Sequence, residues 1–134
     1  MMIVVAAALV DSEGRILLQR RAQGRHMAGL WEFPGGKVDA GEVPEAALSR
    51  ELREELGITV EAEALTPACF ASAPLLDRHL LLLLYVCREW SGEPQALDAD
   101  ALKWLRPGEM EASEMPPADG PLIPLLEAIL SPSA

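Results

Sequence analysis

The segment from Gly36 to Ile58, GKVDAGEVPEAALSRELREELGI, constrains the chain more than any other. Pro44 stands where a first helical turn tolerates a missing N–H. Good helix formers follow it, and Gly57 stands where the chain must leave the helix. The spacing predicts a helix opening at Pro44 and stopping at Gly57. Val43 is a poor N-cap, so the preceding loop has to fix the start in another way. At about 100° per residue, Leu48, Leu52 and Leu56 cover one arc of roughly 80°, and Glu51, Glu54 and Glu55 an adjacent arc of roughly 100°. One face packs, and the next offers three carboxylates.

A glutamate-rich helix face is ordinarily just solvated, and Arg50 with Glu54 has the spacing of an i,i+4 pair. The position of the acids points further. Glu54 and Glu55 fall in the last turn, where unpaired carbonyls already make the field negative. Negative charge concentrated there costs stability unless a cation answers it. Hard divalent cations such as Mg²⁺ take oxygen ligands from carboxylates, water and substrate phosphates. The cluster is therefore a candidate metal and phosphate site.

The 134 residues fit one domain spanning 1–134 with a real core, and half of them are hydrophobic. Disorder is expected only at the tail. A net charge of −10 disfavours a nonspecific grip on a nucleic-acid polymer, which needs clustered Lys and Arg. Small phosphorylated ligands stay open through metal ions. Cys69 and Cys87 have apolar neighbours and no metal-type spacing, so they read as reduced, buried core thiols and suggest the cytoplasm. The first apolar run lacks a basic start and ends at Asp11, and the run from Leu80 to Cys87 is too short for a bilayer. Neither secretion nor membrane insertion is expected.

In chain order, residues 3 to 10 and Arg15 to Arg21 read as two strands of a hairpin, turning at Asp11–Gly14. Glycine makes the next stretch a loop with a short strand at Leu30 to Phe33. His26 and His79 have no zinc-like partners. After the helix, Thr59 to Leu65 and Ala68 to Ala71 read as extended segments interrupted by Pro67, Arg78 to Arg88 as a central strand, and Ala101 to Leu105 as a short one. Glu109 to Pro117 reads as irregular. Gly120-Pro121 then opens a last helix with a large apolar face. Strands interleaved with two helices fit a mixed sheet covered on both faces.

The order Gly36, five residues, Glu42, seven residues, Arg50-Glu51-Leu52, one residue, Glu54-Glu55, one residue, Gly57-Ile58 matches every fixed position of the Nudix box, residues 36–58. An accidental match in this composition has odds of roughly one in a million. The likeness extends over Leu30 to Lys37, Asp77-Arg78-His79, Gly92-Glu93-Pro94 and Pro116 to Asp119, which resemble the MutT-type nucleoside triphosphate pyrophosphohydrolases.

The resemblance implies an α/β fold, an α/β/α sandwich around a mixed β-sheet. It implies hydrolysis of a (deoxy)nucleoside triphosphate to the monophosphate and pyrophosphate with Mg²⁺, or Mn²⁺ in its place. Glu51, Glu54, Glu55 and the Gly35 carbonyl match metal ligands. Arg50 would orient the helix carboxylates, Glu42 would support the loop, and Gly36 and Gly57 are fixed box positions. Asp98 matches a further ligand or base contributed by a later loop, with Asp100 as rival and Glu the usual residue. Arg21, ahead of Arg20, together with Phe33, Gly36, Lys37, Arg78 and Asp119, matches substrate-binding positions. Core packing for Phe33, a salt bridge to Asp77 for Arg78 and a helix cap for Asp119 are the ordinary readings of the same residues.

Asp119 stands where 8-oxo-guanine enzymes carry Asn, and Leu75 where an aromatic would flank the base. An amide donates and accepts, whereas an ionised carboxylate only accepts. The resemblance therefore leaves two substrates: 8-oxo-dGTP, in nucleotide-pool sanitation, ranks ahead of CTP or modified dCTP such as 5-methyl-dCTP. A noncatalytic Nudix-fold binding module is the distant alternative. A monomer is expected, with a homodimer as the other option.

Overall fold

The fold is built on a strand buried on both sides. In the computed structural model, which describes residues 1–131, β1 (Met2–Leu9) alternates its side chains between two apolar layers. Ala6 and Ala8 face a layer that contains Leu122 and Leu126, while Val5, Ala7 and Leu9 face one that contains Leu48, Leu52 and Leu56. A strand sealed on both faces needs apolar residues at every position, which is why it reads as an unbroken run.

The remaining strands are β2 (Ile16–Arg20), β3 (Trp31–Glu32), β4 (Gly35–Lys37), β5 (Leu65–Leu75), β6 (Arg78–Cys87) and β7 (Ala101–Leu105). They divide into a four-stranded mixed sheet, β4-β1-β6-β5, and a three-stranded antiparallel sheet, β3-β2-β7. β1 and β6 are parallel, from Met2 opposite Leu80 to Leu9 opposite Cys87. α1 (Pro44–Leu56) and α2 (Leu122–Leu130) supply the two helical layers. No helix among the described residues is long and apolar enough to cross a membrane.

Several elements depart from expectation. β1 and β2 form no hairpin ladder. Asp11 does make the tight turn, its Oδ1 accepting the N–H groups of Glu13 and Arg15, but only Val10 and Ile16 then bridge. Both edges of β1 are occupied by β4 and β6, so β2 leaves to pair with β3 and β7. Pro67 does not divide β5, which runs through it with a bulge between Pro67 and Cys69. β5 is an edge strand and Pro67 stands at its bulge, the two places where a sheet tolerates proline. Residues 59–64 give one bridge, Thr59 to Ser91, and a 3₁₀ turn at Ala62–Ala64 in place of a strand. β4 was not foreseen. The region from Glu109 to Pro117 carries a 3₁₀ turn at Ala112–Glu114. Both cysteines are free thiols, Cys87 buried and Cys69 half-buried. The expected tail disorder concerns residues 132–134, outside the described residues.

α1 starts and stops as its sequence implies. Val43 makes no side-chain cap, and Pro44 opens the first turn. The preceding loop is fixed instead by Glu42, whose Oε1 accepts the Asp39 N–H at 3.0 Å. Gly57 ends the helix with φ 71°, a left-handed conformation that costs glycine little.

Candidate active site

α1 packs across β4, and this contact brings the box together. A Cβ added to Gly36 would lie 2.5–2.7 Å from the carboxyl atoms of Glu51. Glycine is thus what allows that carboxylate to lie against the β4 backbone. From the same helix Arg50 reaches in four directions. Its Nε and Nη2 donate to Glu42 at 2.8 and 3.0 Å, its Nη1 to Glu51 at 2.9 Å and to Glu54 at 3.4 Å, and its Nη2 to the Lys37 carbonyl at 3.3 Å. The Arg50 hydrogen bonds, then the Asp39 N–H, hold the Glu42 carboxyl down at about 2. One guanidinium therefore ties loop, strand and two helix carboxylates together.

Glu55 departs from the open carboxylate face read from its spacing: it is buried. Its Oε1 accepts Gln19 Nε2–H at 2.6 Å, and its Oε2 and Gln19 Oε1 are buried without partners. Burial, reinforced by nearby Glu51 and Glu32, raises the Glu55 pKa far above the carboxylate range. Glu32 is also raised by burial, while Arg21 Nε donates to its Oε1 at 2.9 Å.

As the side chains stand, no three His, Cys, Asp or Glu among the described residues form a cation cage. Glu51 and Glu54 lean on Arg50, and Glu55 on Gln19. The donor set nevertheless fits a hard divalent ion. It is all oxygen, and the unpartnered Glu55 oxygen needs either a proton or a cation.

These groups line one cavity of about 830 Å³. Of the residues the sequence singled out, Arg21, Phe33, Gly35, Gly36, Lys37, Asp98 and Asp119 line it together with Glu51, Glu54 and Glu55. Arg78 does not: it is exposed at the start of β6, and Leu80 from the same strand lines the wall. Arg20 turns away to Asp100 at 2.6 Å and to the Trp31 ring. That ion pair occupies Asp100, and Asp98 alone of the two lines the cavity, itself paired with Arg25.

Asp119 does not cap α2, whose N-cap is Pro121. Its Oδ2 accepts the backbone N–H of buried Phe33 at 3.2 Å. Burial, then the charge of Glu32, pushes its carboxyl up to about 7. Phe33 both packs in the core and lines the cavity.

Sequence reasoning overlooked Gln19, Glu32 and Arg25. Gln19 left a signal, as a polar residue in register with inward-facing Leu17, and Glu32 another, set between Trp31 and Phe33. Arg25 left none, since its partner is 73 residues away.

Residues 1–126 match the NUDIX domain. The chain belongs to the Nudix family. It is 36% identical over 126 residues to the 8-oxo-dGTP diphosphatase of Escherichia coli, covering 93% of this chain and 96% of that protein. With the CTP pyrophosphohydrolase of the same organism it shares 41% over 130 residues, covering 97% and 93%. Among solved structures, the E. coli ORF135 protein in solution superposes with a TM-score of 0.83 at 37% identity, covering 96% of this chain and 90% of that one. The Nudix box and these relatives make the protein a pyrophosphohydrolase of nucleotide metabolism, from a family that uses divalent cations.

Proposed function

We propose that this enzyme hydrolyses a (deoxy)nucleoside triphosphate to the monophosphate and pyrophosphate with Mg²⁺, replaceable by Mn²⁺, and that 8-oxo-dGTP is its foremost substrate. The observation that carries the reading is the meeting of Glu51, Glu54 and Glu55 with Phe33 and Asp119 in one cavity. Glu51, Glu54, Glu55, the Gly35 carbonyl and Asp98 would hold the metal. Once bound, it would neutralise phosphate charge and lower the pKa of a water nucleophile. Arg50 sets the direction of Glu51 and Glu54, and Gln19 that of Glu55.

Base choice rests on Asp119. Protonated, its carboxyl donates through O–H and accepts through the other oxygen, as an amide does. In that form it suits the O6 acceptor and N7–H donor of 8-oxo-guanine. Ionised, it only accepts, which suits the N4 amino group of cytosine. With its carboxyl at about 7, both forms coexist near neutrality. The ionised form, and the 41% identity to a CTP pyrophosphohydrolase, favour cytosine nucleotides as the second reading.

The test is initial-rate pyrophosphate release with Mg²⁺ from 8-oxo-dGTP, dGTP, CTP, dCTP and 5-methyl-dCTP at pH 6 and pH 8, with Glu54→Gln as blank. The expected result is a preference for 8-oxo-dGTP that is widest at pH 6. Preference for cytosine nucleotides at both pH values would install the second reading. No release from any of the five would sink both.

A further inference from the structure

Arg25 and Lys37 are cavity cations that the reading above leaves without a task, and Arg25 is the one paired with a carboxylate of the cavity wall. The walls carry the carboxyls of Glu32, Glu51, Glu54, Glu55, Asp98 and Asp119, against which a triphosphate brings roughly four more negative charges. Arg21 is committed, with Nε on Glu32 and Nη1 on the His26 carbonyl. Arg25 has one side-chain partner, Asp98 Oδ1 at 2.5 Å, and the two side chains are 55% and 40% exposed. So solvated a pair is weak, whereas a guanidinium fork on a phosphate makes parallel charge-assisted bonds.

The backbone around Arg25 is held independently of this pair. Arg25 N–H donates to the Ala22 carbonyl at 3.3 Å, the Arg25 carbonyl accepts from Ala28 at 3.1 Å, and Arg21 and Gly29 close the loop base at 2.9 Å. The side chain is therefore free to swing while the loop stays in place.

We propose that Arg25 is a phosphate-binding residue that exchanges Asp98 for the β- or γ-phosphate of the entering triphosphate. The exchange leaves Asp98 unpaired inside the cavity just as substrate arrives. The inference rests on the triphosphate reading given above and adds the residue that couples substrate arrival to the release of Asp98.

The test uses the Mg²⁺-loaded enzyme and α,β-methylene analogues of dGTP and dCTP, whose P–C link replaces the bond to be cleaved, with dGMP and dCMP alongside. Affinities are measured by calorimetry for the wild type, Arg25→Ala and Arg25→Lys. Arg25→Ala should weaken the triphosphate analogues about tenfold and the monophosphates by less than about twofold, with Arg25→Lys between. An unchanged ratio of triphosphate to monophosphate affinity overturns the proposal, even if both weaken, because a mere strut between loops would affect both alike. Were the wild type to bind neither analogue, the triphosphate reading itself would fall and this inference with it. Wild-type binding with an unaltered ratio in Arg25→Ala would remove the inference alone.

Discussion

Replacing Asp119 by Asn tests the energetics of the cavity wall around it without any substrate. The Asp119 carboxyl is 7% exposed and lies at about 7 in the folded protein, against 3.8 as its ordinary value. A folded pKa raised above the unfolded one means that between these values the folded chain keeps a proton the unfolded chain has released. Stability therefore falls as pH rises through that window and levels off above pH 7. Three units at about 1.4 kcal/mol each give a full loss of roughly 4 kcal/mol, of which about 2.5 kcal/mol falls between pH 5 and pH 8. Asn does not titrate and can still accept the Phe33 N–H. The variant should gain about 2.5 kcal/mol on the wild type between pH 5 and pH 8, mostly below pH 7. Urea denaturation at pH 5, 6, 7 and 8 in EDTA measures it, with Glu32 and Glu55 largely cancelling in the difference. A difference between the proteins that stays constant within about 0.5 kcal/mol across that range would refute the raised pKa and, with it, the protonated donor.

Gly36→Ala should lower kcat about 100-fold by forcing the Glu51 carboxylate off β4, since its new Cβ would stand 2.5 Å from that carboxyl carbon; pyrophosphate release measures the drop. Gln19→Leu should weaken Mg²⁺ binding by roughly 10- to 100-fold, because Glu55 loses the donor that orients it; calorimetric titration with Mg²⁺ reads this directly. Asp98→Asn should cut turnover with the melting temperature nearly intact, whereas Asp100→Asn should leave turnover near normal, its carboxylate being held by Arg20 outside the cavity. Near-normal turnover in Asp98→Asn would remove Asp98 from the mechanism.

How much of this was legible in the sequence follows from the range of the interactions involved. α1 could be read because Pro44, the leucine stripe and Gly57 act within a few turns of one another. β1 and β6 could be read because burial on both faces leaves no polar position along their cores. The partner of β2 could not. Asp11–Gly14 fixes a reversal, but which sheet the chain then joins depends on β4 and β6 having filled the edges of β1. Pro67 misled for a similar reason: proline breaks a ladder only where its nitrogen faces a neighbour, and the edge position of β5 is a property of the whole sheet.

The same distinction runs through the site. The box carboxylates and Arg50 lie within nine residues of Glu42 or on one helix, so spacing alone brought them together, whereas the groups that set their chemical state come from elsewhere. Gln19 reaches Glu55 across 36 residues, Arg25 reaches Asp98 across 73, and Phe33 reaches Asp119 across 86. These contacts fix how each carboxyl is oriented and paired, and burial raises Glu55 and Asp119, none of which a local pattern encodes. A carboxylate position found by motif thus says where charge can be placed. The distant donor or the burial around it decides whether the group is an acceptor or an acid, and on the reading proposed above that difference at Asp119 would separate a purine reader from a pyrimidine reader.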